Sequence, residues 1–128
     1  MKRLLTLLLF LGVLGLSQSK AQAMEPRFPG CDDAEDYDCA DMKMMQFVFS
    51  NLKHPDEAKA AGVKGVVVVA FTVGADGTLK DPTIKDGLGS GCDEEVLRLL
   101  SLMPNWLPGT DDAGAAIDTP WEMEVKFK

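Results

Sequence analysis

A continuous apolar run at residues 64–73 limits the folds open to this chain more than any other feature. After Lys64 the run reads Gly-Val-Val-Val-Val-Ala-Phe-Thr-Val, so both faces of an extended strand carry apolar side chains. A strand with two apolar faces is expected inside a sheet rather than at its edge. The run therefore predicts a central strand, and its bulkier side chains are expected to face the helices: Val67, Val69, Phe71 and Val73.

Two further strands are expected beside this run. Residues 78–85 follow an Asp76-Gly77 turn, which is a strong hairpin signal. They include Pro82, which has no N–H for a sheet ladder, so this strand is expected at an outer edge. Residues 121–128 alternate apolar and charged side chains, which predicts a strand with one buried face. The apolar members of that last strand are Trp121, Met123, Val125 and Phe127.

The spacing of apolar residues predicts two helices against this sheet. Residues 41–52 form the first, capped by Asp41, and residues 93–103 form the second. A methionine-rich helix such as the first can offer an adaptable binding surface, but we prefer core packing as the interpretation. A short helical turn at residues 56–61 ends at Gly62. The expected buried stripes are Met45, Val48, Phe49 and Leu52 in the first helix and Val96, Leu99, Leu100 and Met103 in the second.

The predicted order is α-β-β-α-β, which indicates a small two-layer α+β domain with a three-stranded antiparallel sheet and two helices. The connection from the second helix to the last strand, residues 103–109, reads Met-Pro-Asn-Trp-Leu-Pro-Gly. Pro104 ends the helix, and Pro108 with Gly109 forces a turn. Trp106 between them is expected in the core. We predict a structural role for these four residues.

The first 23 residues have the three parts of a secretory signal peptide. Lys2 and Arg3 precede an apolar run at residues 4–16, and Ala21-Gln22-Ala23 supplies a small-x-small cleavage site. The apolar run is shorter than the roughly 20 residues of a membrane span. We expect cleavage after Ala23, then an acidic lead-in at residues 24–40 and one small domain at residues 41–128, with no membrane span in the mature chain.

Three cysteines in an exported chain suggest one disulfide and one spare thiol. Cys31 and Cys39 are closest in sequence, and closing the loop between them would stabilise the fold by about 2–3 kcal/mol. Pairings with Cys92 stay open on the sequence alone; we take Cys31–Cys39 as the prediction, with Cys92 free or intermolecular.

The acidic segment at residues 31–41 lacks the glycine and the closing glutamate of an EF-hand loop, so a solvated loop is expected rather than a calcium site.

Charge and motif content argue against several classes of function. Removal of the signal would take away three basic residues and no acid, so 10 basic residues would face 20 acidic ones, a net charge of −10 against −7 for the whole chain. That balance opposes binding to nucleic acid or anionic lipid. The single histidine, His54, has no nucleophile motif around it, and the cysteines lack the paired spacing of a zinc site. We predict no enzyme activity, cofactor or metal; an enzyme using Cys31, Cys39 or Cys92 is the weakest alternative.

The order of several short motifs adds to these predictions. They are Arg27-Phe28-Pro29-Gly30, residues 47–52 with His54-Pro55, residues 58–73 with Gly62 and Gly65, Asp76-Gly77, residues 95–97, residues 103–109, and Val125-Lys126-Phe127-Lys128. In this order they resemble the C-terminal domain of TonB, the periplasmic end of a Gram-negative energy transducer. The resemblance covers nearly the whole mature chain. It implies a three-stranded antiparallel sheet with two helices and a periplasmic location.

In the TonB family the last strand is an open edge that pairs with the TonB box, a short extended segment of outer-membrane transporters. The resemblance implies the same β-augmentation here, linked to TonB-dependent transport. Pro82 in the opposite outer strand supports this choice of edge. The edge residues implied are Thr119, Trp121, Glu122, Met123, Glu124, Val125, Lys126 and Phe127.

Three departures from the family pattern qualify this expectation. His54 replaces a tyrosine that the family often has before the proline, and Glu124 stands where relatives often carry proline. The chain also shows no membrane anchor or proline-rich spacer, so the resemblance implies peptide binding and not force transmission.

The alternative function is a homodimeric scaffold in which the edge strands of two copies pair. Cys92 and a smaller apolar face, formed by Val66, Val68 and Ala70, are expected to help that pairing.

Overall fold

The fold is a three-stranded antiparallel sheet with helices packed on one face, as predicted. A computed structural model describes residues 22–128, so the expected signal peptide lies outside the described residues except for its last two. The helices are α1 Tyr37–Asn51, α2 Asp56–Ala61 and α3 Cys92–Leu102, and the strands are β1 Gly65–Val73, β2 Leu79–Asp86, β3 Gly109–Thr110, β4 Ala116–Ile117 and β5 Thr119–Phe127. The main sheet has the order β2-β1-β5, and β3 pairs with β4 in a short ladder of its own.

The central position predicted for β1 is confirmed. β1 pairs with β5 from Gly65 opposite Phe127 to Val73 opposite Thr119, without a register shift. The four side chains expected to face the helices are at most 3% exposed. Each such burial contributes about 1.5–3 kcal/mol, so this row contributes substantially to the stability of the core. Its partners in the core include Val96, Leu100, Met123, Val125 and Phe127.

β2 is an outer strand with an irregular register, as its proline predicts. The ladder between β1 and β2 shifts between Val68 and Val69 and again between Ala70 and Thr72. Asp81, directly before Pro82, has a φ of 51°, which takes the chain out of extended geometry. The missing N–H of Pro82 and this bend make β2 a poor template for another strand.

The prediction for α1 is wrong in its start and for two of the four residues expected in its buried stripe. α1 begins at Tyr37, and the Asp36 carboxylate caps it by accepting the Cys39 N–H at 2.9 Å. Met45 and Phe49, expected in the core, are 68% and 91% exposed. Val48 and the C-cap residue Leu52 pack on the core as predicted, and Met44 and Phe47 take the places expected for Met45 and Phe49. Because α1 is apolar on most of its circumference, periodicity alone cannot choose the buried face.

The lead-in before α1 is tied to the domain. Phe28 is buried, and its ring lies 5.7 Å from that of Phe47 and 6.0 Å from that of Trp106. The buried Arg27 guanidinium donates to the carbonyl oxygens of Glu25, Ala34 and Pro108. The Cys31–Cys39 disulfide is present, so that prediction is confirmed. These contacts fix the entry into α1 and therefore its rotation on the sheet.

The connection at residues 103–109 is structural, and Trp106 is buried at 4% exposure, as predicted. The main-chain N–H of Trp106 donates to the Gly77 carbonyl at 2.8 Å. Gly77 has a φ of +85°, and a Cβ there would lie 2.2 Å from the Trp106 carbonyl oxygen, so only glycine fits this contact. The short β3–β4 ladder follows this connection and pairs Gly109 with Ile117 and Thr110 with Ala116.

Candidate peptide-binding site

β5 is an open edge of the main sheet. It has β1 on one side and no strand on the other within residues 22–128. In an antiparallel pair only alternate residues exchange main-chain bonds with the partner, so the remaining N–H and C=O groups of β5 point away from β1. Such a row is a template for a further strand. All eight residues of the edge predicted from the sequence lie on this strand.

The side chains of β5 divide cleanly between its two faces. Met123, Val125 and Phe127 are buried on the helix side, and Trp121 is half-buried. On the opposite face Glu122, Glu124 and Lys126 are exposed. The alternation persists across the whole strand, so an added strand would meet a uniform apolar face and a uniform charged face.

An apolar groove of about 460 Å³ runs between β5 and α1. Its wall on α1 includes the two exposed side chains of Met45 and Phe49, and its floor is the buried face of β5. Glu124, Lys126 and Lys128 lie at its charged margin. We refer to it as the α1–β5 groove; its lining is Met44, Met45, Val48, Phe49, Leu52, His54 and residues 123–128.

A smaller pocket of about 160 Å³ lies at the other end of the same edge. Met44 lines both this pocket and the α1–β5 groove, so the two are neighbours. The carboxylates of Glu25 and Asp41 lie among its lining groups. The remaining lining residues are Pro26, Arg27, Phe28, Tyr37, Trp106 and Trp121.

His54 closes the groove at the C-terminal end of β5. Its ring meets the Phe127 ring edge to face at a centroid distance of 5.8 Å. His54 Nε2 is buried and has no hydrogen-bond partner among the described residues. The side chain therefore holds the end of the last strand by packing, which agrees with a structural role.

The family profile described as Gram-negative bacterial TonB protein C-terminal matches residues 50–128. The chain belongs to this family. The NMR solution structure of the Helicobacter pylori TonB-CTD (residues 194-285) is similar to this chain at 22% identity and a TM-score of 0.44, covering 68% of this chain and 90% of that one. No significant match was found among curated proteins.

The TonB C-terminal match contains the whole sheet, α2 and α3, and therefore the edge strand. It begins at residue 50, near the end of α1. Met45 and Phe49 therefore lie outside the matched residues, as do the disulfide and the lead-in. The edge belongs to the part shared with TonB C-terminal domains, whereas most of the α1 wall of the groove does not. As a member of the TonB C-terminal family, the chain is linked to TonB-dependent transport.

Glu95 on α3 fixes the end of α1 within this TonB-like domain. Its carboxylate accepts the Lys53 N–H at 2.5 Å and two Arg98 N–H groups at 2.6 and 2.7 Å. Arg98 also donates to the Asn51 carbonyl at 2.9 Å. The hydrogen bonds from Arg98, reinforced by the Lys53 N–H and opposed by burial, lower the pKa of Glu95 from its ordinary 4.5. The network anchors the α1 wall of the groove.

We expect Glu95→Gln to lower the free energy of unfolding at pH 7 by on the order of 1–2 kcal/mol, since charge-assisted bonds are lost. Because the pKa of Glu95 lies below 4.5 in the folded state, the ionised carboxylate stabilises the fold fully above about pH 4.5. This stabilisation is lost as the pH falls through the lowered pKa, so the parent and the Glu95→Gln variant should become equally stable in acid. Urea unfolding from pH 7 to pH 3 measures this, with the exposed Glu94→Gln as control; a difference that grows in acid would contradict it.

The cysteines are poorly placed for the alternatives considered from the sequence. Cys31 and Cys39 are joined to each other, and Cys92 is fully buried. Burial, together with the nearby carboxylates of Asp93, Glu94 and Glu57, raises the pKa of the Cys92 thiol, which disfavours the nucleophilic thiolate. The expectation that Cys92 joins two copies is therefore not supported. No three or more His, Cys, Asp or Glu side chains in residues 22–128 form a group that could hold a metal ion.

No helix within the described part of the chain is long and apolar enough to cross a membrane.

Proposed function

We propose that the domain acts in the periplasm by binding TonB boxes, the extended segments of outer-membrane transporters, as an added strand along β5. The observation that carries the proposal is the free outer side of β5 in a sheet whose other edge is irregular. β5 has nine residues, so it offers about 30 Å of edge at roughly 3.3 Å per residue. Main-chain bonds along that edge would supply affinity without requiring one particular sequence.

The neighbouring pockets support the same proposal. An added strand places every second side chain on the helix side of the sheet, where the α1–β5 groove and the smaller pocket lie. The other side chains face the exposed row of Glu122, Glu124 and Lys126. A peptide on β5 would therefore be held by main-chain bonds and by side-chain contacts on both faces.

A pair of N-methylated peptides tests the main-chain pairing. In an added strand only alternate residues direct their N–H toward β5, so methylation of that set should weaken binding by about tenfold or more, and methylation of the other set should not. The two peptides share one TonB-box sequence and differ only in the methylated positions, so each is the control for the other. Fluorescence anisotropy measures both; equal affinities, or no binding of the unmethylated peptide, would count against the proposal.

A second copy of the chain is the competing occupant of β5. Val66, Val68 and Ala70 are half-exposed on the sheet face opposite the helices, which favours this alternative. Such a dimer would not depend on a disulfide, because Cys92 is buried. Light scattering over a concentration series separates the two occupants: a dimer that dissociates when peptide is added supports competition for β5, and a monomer at all concentrations removes the dimer.

A further inference from the structure

We infer that the segment bound on β5 is amphipathic, with apolar side chains at every second position, and that Met45 and Phe49 of α1 select them. The inference rests on the proposed function, since it requires a strand added to β5. It concerns residues that lie outside the region matched by the TonB family. It therefore assigns a selective role to a part of the chain that the family relation does not explain.

The first support is that two large apolar side chains of α1 are exposed to solvent and do not pack in the core. Phe49 is 91% exposed and Met45 is 68% exposed, and both line the α1–β5 groove. They lie on the same helix as Met44 and Val48, which are partly buried against the core. α1 thus packs on the sheet through one face and offers a second apolar face beside the open edge. Flexible methionine side chains adapt to different apolar partners, which suits a site that accepts several sequences.

The second support is the direction in which an added strand would point its side chains. Alternate residues of that strand lie on the same face as Met123, Val125 and Phe127, because side chains alternate with a period of two. That face opens into the α1–β5 groove, whose α1 wall contains Met45 and Phe49. Apolar side chains entering there would cover the exposed ring of Phe49, a burial that favours binding.

The third support is the order of charges on the opposite face of the edge. Glu122 and Glu124 come first, and Lys126 and Lys128 follow. Opposite charges directly across neighbouring strands are favourable, whereas like charges are unfavourable. A segment with acidic residues before basic ones is therefore complementary to β5 when it runs antiparallel. The order of charges thus sets the direction in which such a segment binds.

A synthetic peptide, acetyl-Glu-Val-Asp-Val-Lys-Val-Lys-Val-amide, is the probe for this site. Its control has the same composition with the four valines grouped at one end. Met45→Ser and Phe49→Ser remove the exposed apolar part of the α1 wall without touching the core. Met42→Ser is the matched control, since Met42 is 60% exposed on α1 but does not line the groove. Affinity is measured by anisotropy, binding position by ¹⁵N amide shifts and direction by a nitroxide at the peptide N-terminus.

We expect the alternating peptide to bind more tightly than the grouped one and to shift β5 amides. Met45→Ser and Phe49→Ser should weaken it, by about tenfold or more for Phe49→Ser, while Met42→Ser should not. The nitroxide should broaden amides near Lys128 rather than near Thr119. Unchanged affinity in both groove variants, with β5 shifts retained, would overturn the inference and leave the proposed function standing. No binding of any extended peptide, TonB-box sequences included, would remove both.

Discussion

Replacing Trp106 with alanine is expected to lower the free energy of unfolding by about 3–5 kcal/mol. The indole is 4% exposed and packs edge to face against Phe71 at 5.5 Å and Phe28 at 6.0 Å. It therefore joins the central strand to the lead-in, and its removal leaves a cavity between them. Urea unfolding followed by the fluorescence of Trp121, the other tryptophan, measures the loss.

Trp106→Phe is the matched control for this variant. The indole Nε1 is buried and has no hydrogen-bond partner among the described residues, so phenylalanine gives up no such bond and retains an aromatic ring. Its loss of stability should be clearly smaller than that of the alanine variant. A loss near zero for Trp106→Ala would mean that the indole is exposed and that this account of residues 103–109 is wrong.

Removing the disulfide with Cys31→Ala and Cys39→Ala together is expected to cost about 2–3 kcal/mol. The bridge closes a loop between residues eight apart and ties the lead-in to the first turn of α1. Without it the unfolded chain gains conformational freedom, and the start of α1 keeps the Asp36 cap, the Glu25 N–H bond to the Tyr37 hydroxyl and the Arg27 hydrogen bonds. Thermal and urea unfolding of the variant and the parent measure the difference.

Reductant supplies an internal control for the disulfide prediction. The parent protein in reductant should become as unstable as the double variant, and the double variant should not respond to reductant at all. The buried Cys92 is the only remaining thiol and forms no bridge. Equal stability of the parent with and without reductant would show that the loop contributes nothing to the fold.

The main features of the fold follow directly from the sequence. The central position of β1 follows from its two apolar faces, and the outer position of β2 follows from Pro82. The burial of Trp106 follows from a bulky ring between two helix-breaking prolines. Each of these predictions depends on a local property of the chain, so no tertiary information is needed to make it.

The rotation of α1 could not be predicted in the same way. Apolar side chains surround most of the helix, and Phe28 in the lead-in packs on Phe47, which selects the face turned to the core. That contact joins residues far outside one helical turn, so no periodic pattern contains it. Helical periodicity places Met45 and Phe49 in the core, so it does not reveal the groove that they line. The only sequence signal for the groove was the number of methionines in this helix.

The edge strand and its side-chain alternation were predicted, but peptide binding at that edge came from the family resemblance. The alternation of side chains along a strand shows which of its faces is buried, but it does not show which of its edges lacks a partner strand. The order β2-β1-β5 supplies that information. Local sequence thus accounts for the shape of β5, whereas its availability depends on how the whole sheet is assembled.

Amide chemical shifts during a titration with a TonB-box peptide test the central claim most directly. With ¹⁵N-labelled protein, peptide pairing along β5 predicts saturable shifts concentrated at Thr119–Phe127, while Leu79–Asp86 on the opposite edge stays unchanged. Residues 45 and 49 on α1 should shift together with the strand. No shift at residues 121–127 with millimolar peptide, or shifts confined to β2, would contradict the account.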